Sequence, residues 1–189
     1  NLLLNKHIKY INFAASQTMN FYEKAIIRSE SFIKDSILKY DQLRNYDFGP
    51  TKRDNVSGLS PFFSHRILFE YHLIDKILQM HQYSRVEKFI QEIFWRIYWK
   101  GWMEMRPSVW DNFLEGLNSI KFNRKDYENA INARTKFSCF NDWVIELKEY
   151  NYLHNHTRMW FASIWIFTLK LPWQLGAKFF LENLKDGDA

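Results

Sequence analysis

At 189 residues, with 47% of them hydrophobic, the chain is long enough for one domain with a real core. Its formal charge of +5 is a mild bias toward anionic partners, and equally an ordinary basic surface. The single cysteine, Cys139, excludes an internal disulfide and a cysteine-rich metal site, and it fits a reducing, cytoplasmic setting.

The start Asn1-Leu2-Leu3-Leu4 lacks a basic leader, so no signal peptide is expected. Residues from about 14 to 43 read as helix, with Phe21, Ala25, Phe32, Ile37 and Leu38 on an apolar side. Asn45 to Gly58 reads as a loop, marked by Gly49-Pro50, Asp54-Asn55 and Gly58. A helix is expected to open at Ser60-Pro61, with Ser60 as cap and Pro61 in the first turn. Further helices are expected near 65–80, 84–103, 109–117, 124–131, 138–149, 155–169 and 173–184. The longest apolar run, Met159 to Leu169, is too short to span a bilayer and reads as a buried helix. Alternating strand patterns are absent, so the expected fold is all-α, one domain over residues 1–189. The aromatic fraction of 19% either fills a core or lines a pocket for a flat ligand or for bases.

Four segments carry chemistry. In Asn55 to Pro61 a turn with hydroxyls opens a helix, whose free N–H groups and dipole favour a phosphate. The same pattern also serves as a plain capped helix start. In Phe89 to Tyr98, residues Glu92, Trp95 and Arg96 stand at i, i+3 and i+4 and are expected to share a helix face. In Tyr152 to Met159, His154 and His156 stand at i, i+2 and do not share a face, so no metal site is expected. Asn155 and Arg158, at i and i+3, do share one. Last, Trp173 opens the final expected helix, and Asp186-Gly187-Asp188-Ala189 follows that helix with two acids in a turn.

Taken together, these segments resemble the helical FAD-binding domain of the DNA photolyase/cryptochrome family. That family grips the FAD pyrophosphate with Thr-Ser-x-Leu-Ser-Pro; here Ser57, Leu59, Ser60 and Pro61 match, and Val56 replaces the threonine. Tyr40 and Arg44 match the family's Tyr-x-x-x-Arg, which implies a FAD neighbour and a DNA-phosphate contact. The helix at 89–98 resembles Glu-Leu-x-Trp-Arg-Glu-Phe, with Ile97 in place of the second acid. This implies that Trp95 packs on a flipped pyrimidine dimer, that Glu92 hydrogen-bonds the lesion, that Arg96 contacts FAD and that Phe89 flanks it. His154, Asn155, Arg158 and Met159 match Trp-Met-His-Asn-Arg-x-Arg-Met. Asn155 and Arg158 are thereby implied at the isoalloxazine, where a positive charge favours the anionic reduced flavin. Met159 is implied at the lesion. Trp173 matches the middle member of the tryptophan chain that photoreduces the flavin, and Asp186 and Asp188 match acids that bind the ribityl chain and ring. The likeness is weak from Gly101 to Arg134. Around Thr135 to Leu147 the family's glycine and proline are lost, and an expected tryptophan falls on Ala130.

The resemblance implies FAD as cofactor and DNA containing pyrimidine dimers as partner. For the complete protein it implies light-driven repair, the activity of a deoxyribodipyrimidine photolyase. Two alternatives stay open: a cryptochrome-like photoreceptor without repair, and a helical interaction module that has lost FAD. The family's antenna domain, the side chain facing flavin N5 and the inner tryptophan lie outside this sequence. The 189-residue chain is therefore expected to hold FAD incompletely and to lack repair. A FAD-sized cleft should gather Tyr40, Ser57, Ser60, Arg96, Asn155, Arg158, Asp186 and Asp188. Glu92, Trp95 and Met159 should border one cavity beside it.

Overall fold

The structure, a computed structural model, describes residues 20–188, so the expected helical turns at 14–19 and Ala189 lie outside the described residues. Among the described residues the secondary structure is helical, with no strand, and no helix is long and apolar enough to cross a membrane.

Helix α1 (Phe21–Ser31) opens on a reciprocal cap: Asn20 accepts from the Glu23 N–H at 2.8 Å, and the Asn20 N–H donates to the Glu23 carboxylate at 2.9 Å. A π turn (Phe32–Ser36) and a 3-10 turn (Ile37–Lys39) interrupt the expected single helix before α2 (Tyr40–Leu43). The extra residue re-phases the apolar side, so Phe32, Ile33 and Ile37 are all buried. After the loop come α3 (Ser60–Ser64), α4 (Glu70–Met80) and α5 (Tyr83–Glu104). The expected helix at 65–80 starts five residues late. Arg66 takes a left-handed φ of 57°, and the N–H groups of Ile67 and Leu68 fold back onto the Phe62 carbonyl. The remaining helices are α6 (Ser108–Ser119), α7 (Arg124–Ile131), α8 (Ser138–Tyr150), α9 (Asn155–Ser163), a π turn (Ile164–Thr168) and α10 (Trp173–Asn183).

Two apolar cores result. One joins α1, α4 and α5 around Phe32, Ile33, Ile77 and Ile90. The other joins α8, α9 and α10 around Phe140, Phe161, Trp165 and Phe179. Trp165 is buried, lies nearly parallel to Phe179 at 6.1 Å, and donates its indole N–H to the Pro172 carbonyl at 2.9 Å. Gly176 permits this packing, since a Cβ there would meet the indole nitrogen at 3.0 Å. Polar contacts bridge the seam between the cores. The Thr157 hydroxyl donates to Asp47 at 2.7 Å, Arg53 pairs with Glu146, and His65 Nε2 meets the Lys185 carbonyl at 2.9 Å.

Candidate functional site

The cleft opens on that seam. Its walls come from α2, the loop at 56–59, the start of α3, α5, the 152–158 segment and the turn at 186–188. Tyr40, Ser57, Leu59, Ser60, Arg96, Asn155, Arg158, Asp186 and Asp188 all line it, with Arg44 and Glu92 beside them. The chain brings these together from positions as far apart as 40 and 188 because each core presents one polar edge to the other.

Arg158 and Asp186 build the floor. The guanidinium donates from Nη1 to Asp186 Oδ1 at 3.1 Å and from Nη2 to Asp186 Oδ2 at 2.8 Å, and Nη1 also reaches Asp188 at 3.1 Å. The Ser60 hydroxyl donates to Asp186 Oδ2 at 2.5 Å. Burial would raise the Asp186 pKa. The hydrogen bonds and charge of Arg158, with the Ser60 hydroxyl, outweigh it and hold the carboxyl below its ordinary value. Ser60 is therefore not a helix cap. It is the first residue of α3, and its hydroxyl is spent on Asp186. With five residues, α3 also supplies little dipole, so any anion preference rests on the loop amides.

The opposite wall is set by Arg44, which pairs with Glu92 across α2 and α5. Arg96 donates to the Ser64 hydroxyl at 2.6 Å and stands 3.8 Å from the buried Glu70 carboxylate. Each arginine on the cleft wall thus faces a carboxylate. The positive charge of Arg158, expected at the isoalloxazine, is offset by both Asp186 and Asp188. Tyr40 sits between these groups, and burial with the nearby Glu92 charge raises its phenol pKa.

His154 ties the cores from beneath. It is 1% exposed; its Nδ1 accepts from the His156 N–H at 3.2 Å, and its Nε2 lies 3.0 Å from the Arg44 carbonyl. Only the neutral ring with its proton on Nε2 satisfies both partners. Burial lowers its pKa in agreement with that tautomer.

Several positions differ from expectation. Phe89 is buried at 5% and packs on Phe32 and Tyr40, at 4.8 and 5.0 Å, so it supports the Tyr40 wall without lining the cleft. Trp95, Met159 and Trp173 are not on the cleft walls either. Trp95 does not share the Glu92–Arg96 face. At about 100° per residue it sits roughly 80° from the midpoint of that pair. It groups instead with Gln91, Phe94 and Tyr98 and is 57% exposed. Met159 is exposed on α9, and Trp173 is half exposed beside Phe113 at 6.0 Å. Glu92 thus lines the cleft, Trp95 lies in the shallow pocket with Gln91, Phe94 and Tyr98, and Met159 lines neither.

The structure gives roles to Asn55 and Tyr152, which open two of the motif segments without a role of their own in the sequence. Asn55 donates to the Leu43 and Tyr46 carbonyls at 2.8 Å each and pins the loop to the end of α2. The Tyr152 ring lies between the guanidinium groups of Arg53, at 4.8 Å, and Arg158, at 5.4 Å. Burial raises the Tyr152 pKa. Both stand in motif segments, but the Leu43 and Tyr46 carbonyls that Asn55 meets and the Arg53 guanidinium over Tyr152 lie outside them.

Two buried polar atoms of cleft residues, Arg96 Nε and His156 Nδ1, make no hydrogen bond among the described residues, and Arg96 Nε has only the Glu70 carboxylate 3.8 Å away. Such atoms call for a ligand or water. The enclosed volume is about 220 Å³. That is below the roughly 300–1,000 Å³ usual for drug-sized ligands. As the side chains stand, the cleft is smaller than the FAD-sized one expected.

Known proteins point the same way. Deoxyribodipyrimidine photo-lyase of Neurospora crassa is 26% identical over 176 residues, covering 87% of this chain and 28% of the relative. The enzyme of that name from Vibrio cholerae is 20% identical over 179 residues, covering 88% and 36%. The chain thus spans about a third of the length of these relatives. In fold it is similar to the crystal structure of a bacterial class III photolyase from Agrobacterium tumefaciens, with a TM-score of 0.74, 20% identity and coverage of 92% of this chain and 36% of that one. Residues 89–189, over half the chain, match the family described as the FAD binding domain of DNA photolyase. The chain therefore belongs to the photolyase FAD-binding domain family, whose cofactor is FAD.

Proposed function

We propose that this domain holds FAD in the seam cleft, within a protein that repairs cyclobutane pyrimidine dimers in DNA by light-driven electron transfer. The observation that carries the reading is the convergence of Tyr40, Ser57, Ser60, Arg96, Asn155, Arg158, Asp186 and Asp188 on one cleft. When bound, a reduced FAD supplies one electron to the dimer on illumination and takes it back after the ring opens.

The chain's own residues bind and orient. Loop amides at Ser57 and Gly58 receive the diphosphate. The Arg158–Asp186–Ser60 network forms a rigid polar wall, and Asn155 and Asp188 offer hydrogen bonds to the ribityl chain and ring. His156 Nδ1 gains the hydrogen-bond partner it lacks. Trp95 and Met159, both exposed, are available to an extruded pyrimidine dimer, with Arg44 and Glu92 at the rim.

A visible absorption spectrum during FAD titration tests the first half of this reading. Illumination with dimer-containing DNA tests the second. Flavin bands that never follow the protein through gel filtration would refute the cofactor site. FAD binding without repair by the whole protein would favour a photoreceptor.

A further inference from the structure

Arg28 stands on α1, outside the motifs that mark the cleft and off the cleft wall. Its guanidinium reaches one loop at three carbonyls. Nε donates to Ser57 at 2.7 Å, and Nη2 donates to Val56 at 2.8 Å and to Arg53 at 2.9 Å. A planar fork fixes the direction of the carbonyls it meets, not only their position. In a planar trans peptide the C=O and the following N–H point opposite ways. Holding the Val56 and Ser57 carbonyls toward α1 therefore turns the Ser57 and Gly58 N–H groups away from it. Among the described residues, nothing accepts from either N–H, and both residues line the cleft. Gly58 completes the turn at φ 63°, with the Arg28 guanidinium 3.6 Å from where a Cβ would stand.

We propose that Arg28 is a positioning residue for the diphosphate of the cofactor: it touches no ligand, but holds the 53–58 loop with two amides aimed into the cleft. This rests on the reading of the cleft as the FAD site. It predicts that Arg28 governs the phosphate half of the ligand and leaves the flavin half alone.

The test is titration of the wild-type, Arg28→Lys and Arg28→Ala proteins with FAD, ADP and riboflavin, with melting temperatures measured alongside. Lysine keeps the charge and loses the fork. Arg28→Lys is expected to weaken FAD and ADP by about tenfold, the scale of one or two misplaced hydrogen bonds, and to leave riboflavin within about twofold. If Arg28→Ala fails to fold, Arg28→Lys decides. Unchanged FAD affinity in a folded Arg28→Lys overturns the proposal. Equal losses of FAD and riboflavin also overturn it, since they mark a general structural role. A wild-type protein that binds no FAD refutes the cofactor reading itself, and the wild-type titration tells that failure from the other two.

Discussion

Arg158 and Asp186 meet at two points, 3.1 and 2.8 Å, across 28 residues of sequence, with the carboxylate only 1% exposed. A pair buried this deeply contributes little net stability while intact, but Asp186 without Arg158 is a buried charge without compensation, and Arg158 without Asp186 keeps only the exposed Asp188. It therefore acts as a latch on the turn at 186–188.

Asp186→Ala is expected to destabilise the domain by about 1.5–3 kcal/mol, because Arg158 loses two charge-assisted hydrogen bonds and keeps only Asp188 as counter-charge. The pH dependence follows from the direction of the shift. The folded carboxyl titrates below its ordinary value of 3.8, so its contribution is fully present above that value and is lost as pH falls through the lower folded one. Urea unfolding across the acid range should show a steep limb in the wild type and a flatter one in the variant. Identical limbs would show that the latch carries no pH dependence.

His154 should remain neutral under mild acid. Its folded pKa is below the ordinary 6.5, so its contribution is complete above that value and is lost as pH falls through the folded one. Histidine ring resonances followed by NMR should keep the Nε2–H pattern below the pH at which exposed histidines titrate. His154→Ala should cost about 2 kcal/mol, since it strands the Arg44 carbonyl and the His156 N–H. A ring that titrates at the ordinary value contradicts this account.

Trp95→Ala should leave stability within about 0.5 kcal/mol, since the indole is largely exposed. Binding of dimer-containing DNA by the whole protein should weaken by about 1–3 kcal/mol, the worth of stacking on one aromatic. Binding of undamaged DNA should change little, because backbone contacts do not depend on this ring. Equal losses on both DNAs, measured by fluorescence anisotropy, would remove Trp95 from the lesion contact.

Phe89→Ala should cost about 3–5 kcal/mol of stability, as a core ring does. Its effect on FAD should come through Tyr40, which it supports. The double variant Phe89→Ala/Tyr40→Phe should therefore bind FAD no more weakly than Phe89→Ala alone, and additive losses would show a direct contact.

Much of this was legible in the sequence because helix periodicity and cofactor motifs are local. The helices at 84–103, 124–131, 138–149 and 173–184 were placed within a residue or so of their bounds. The late start of α4 was not, because Arg66 takes a left-handed conformation without a glycine to announce it. The π turn at 32–36 hid inside a continuous apolar pattern. Within the site, motif residues were found, but what they bond to was not. Ser60 reads as a cap until Asp186, 126 residues away, takes its hydroxyl. Arg28, Asn55 and Arg53 act on distant carbonyls and carboxylates, and no short pattern encodes that. Trp95 was misplaced because i+3 and i+4 neighbours lie near one another without facing the same way.

The polar seam has a consequence for how the domain comes apart. Each apolar core is closed within itself, while the joint between them depends on directional bonds that water can replace. Amide hydrogen exchange should therefore be fastest along the joint, with the cores protected as two separate cooperative units. A dinucleotide seated in the joint would act as an interlocking key, raising the protection of both units together by mass action.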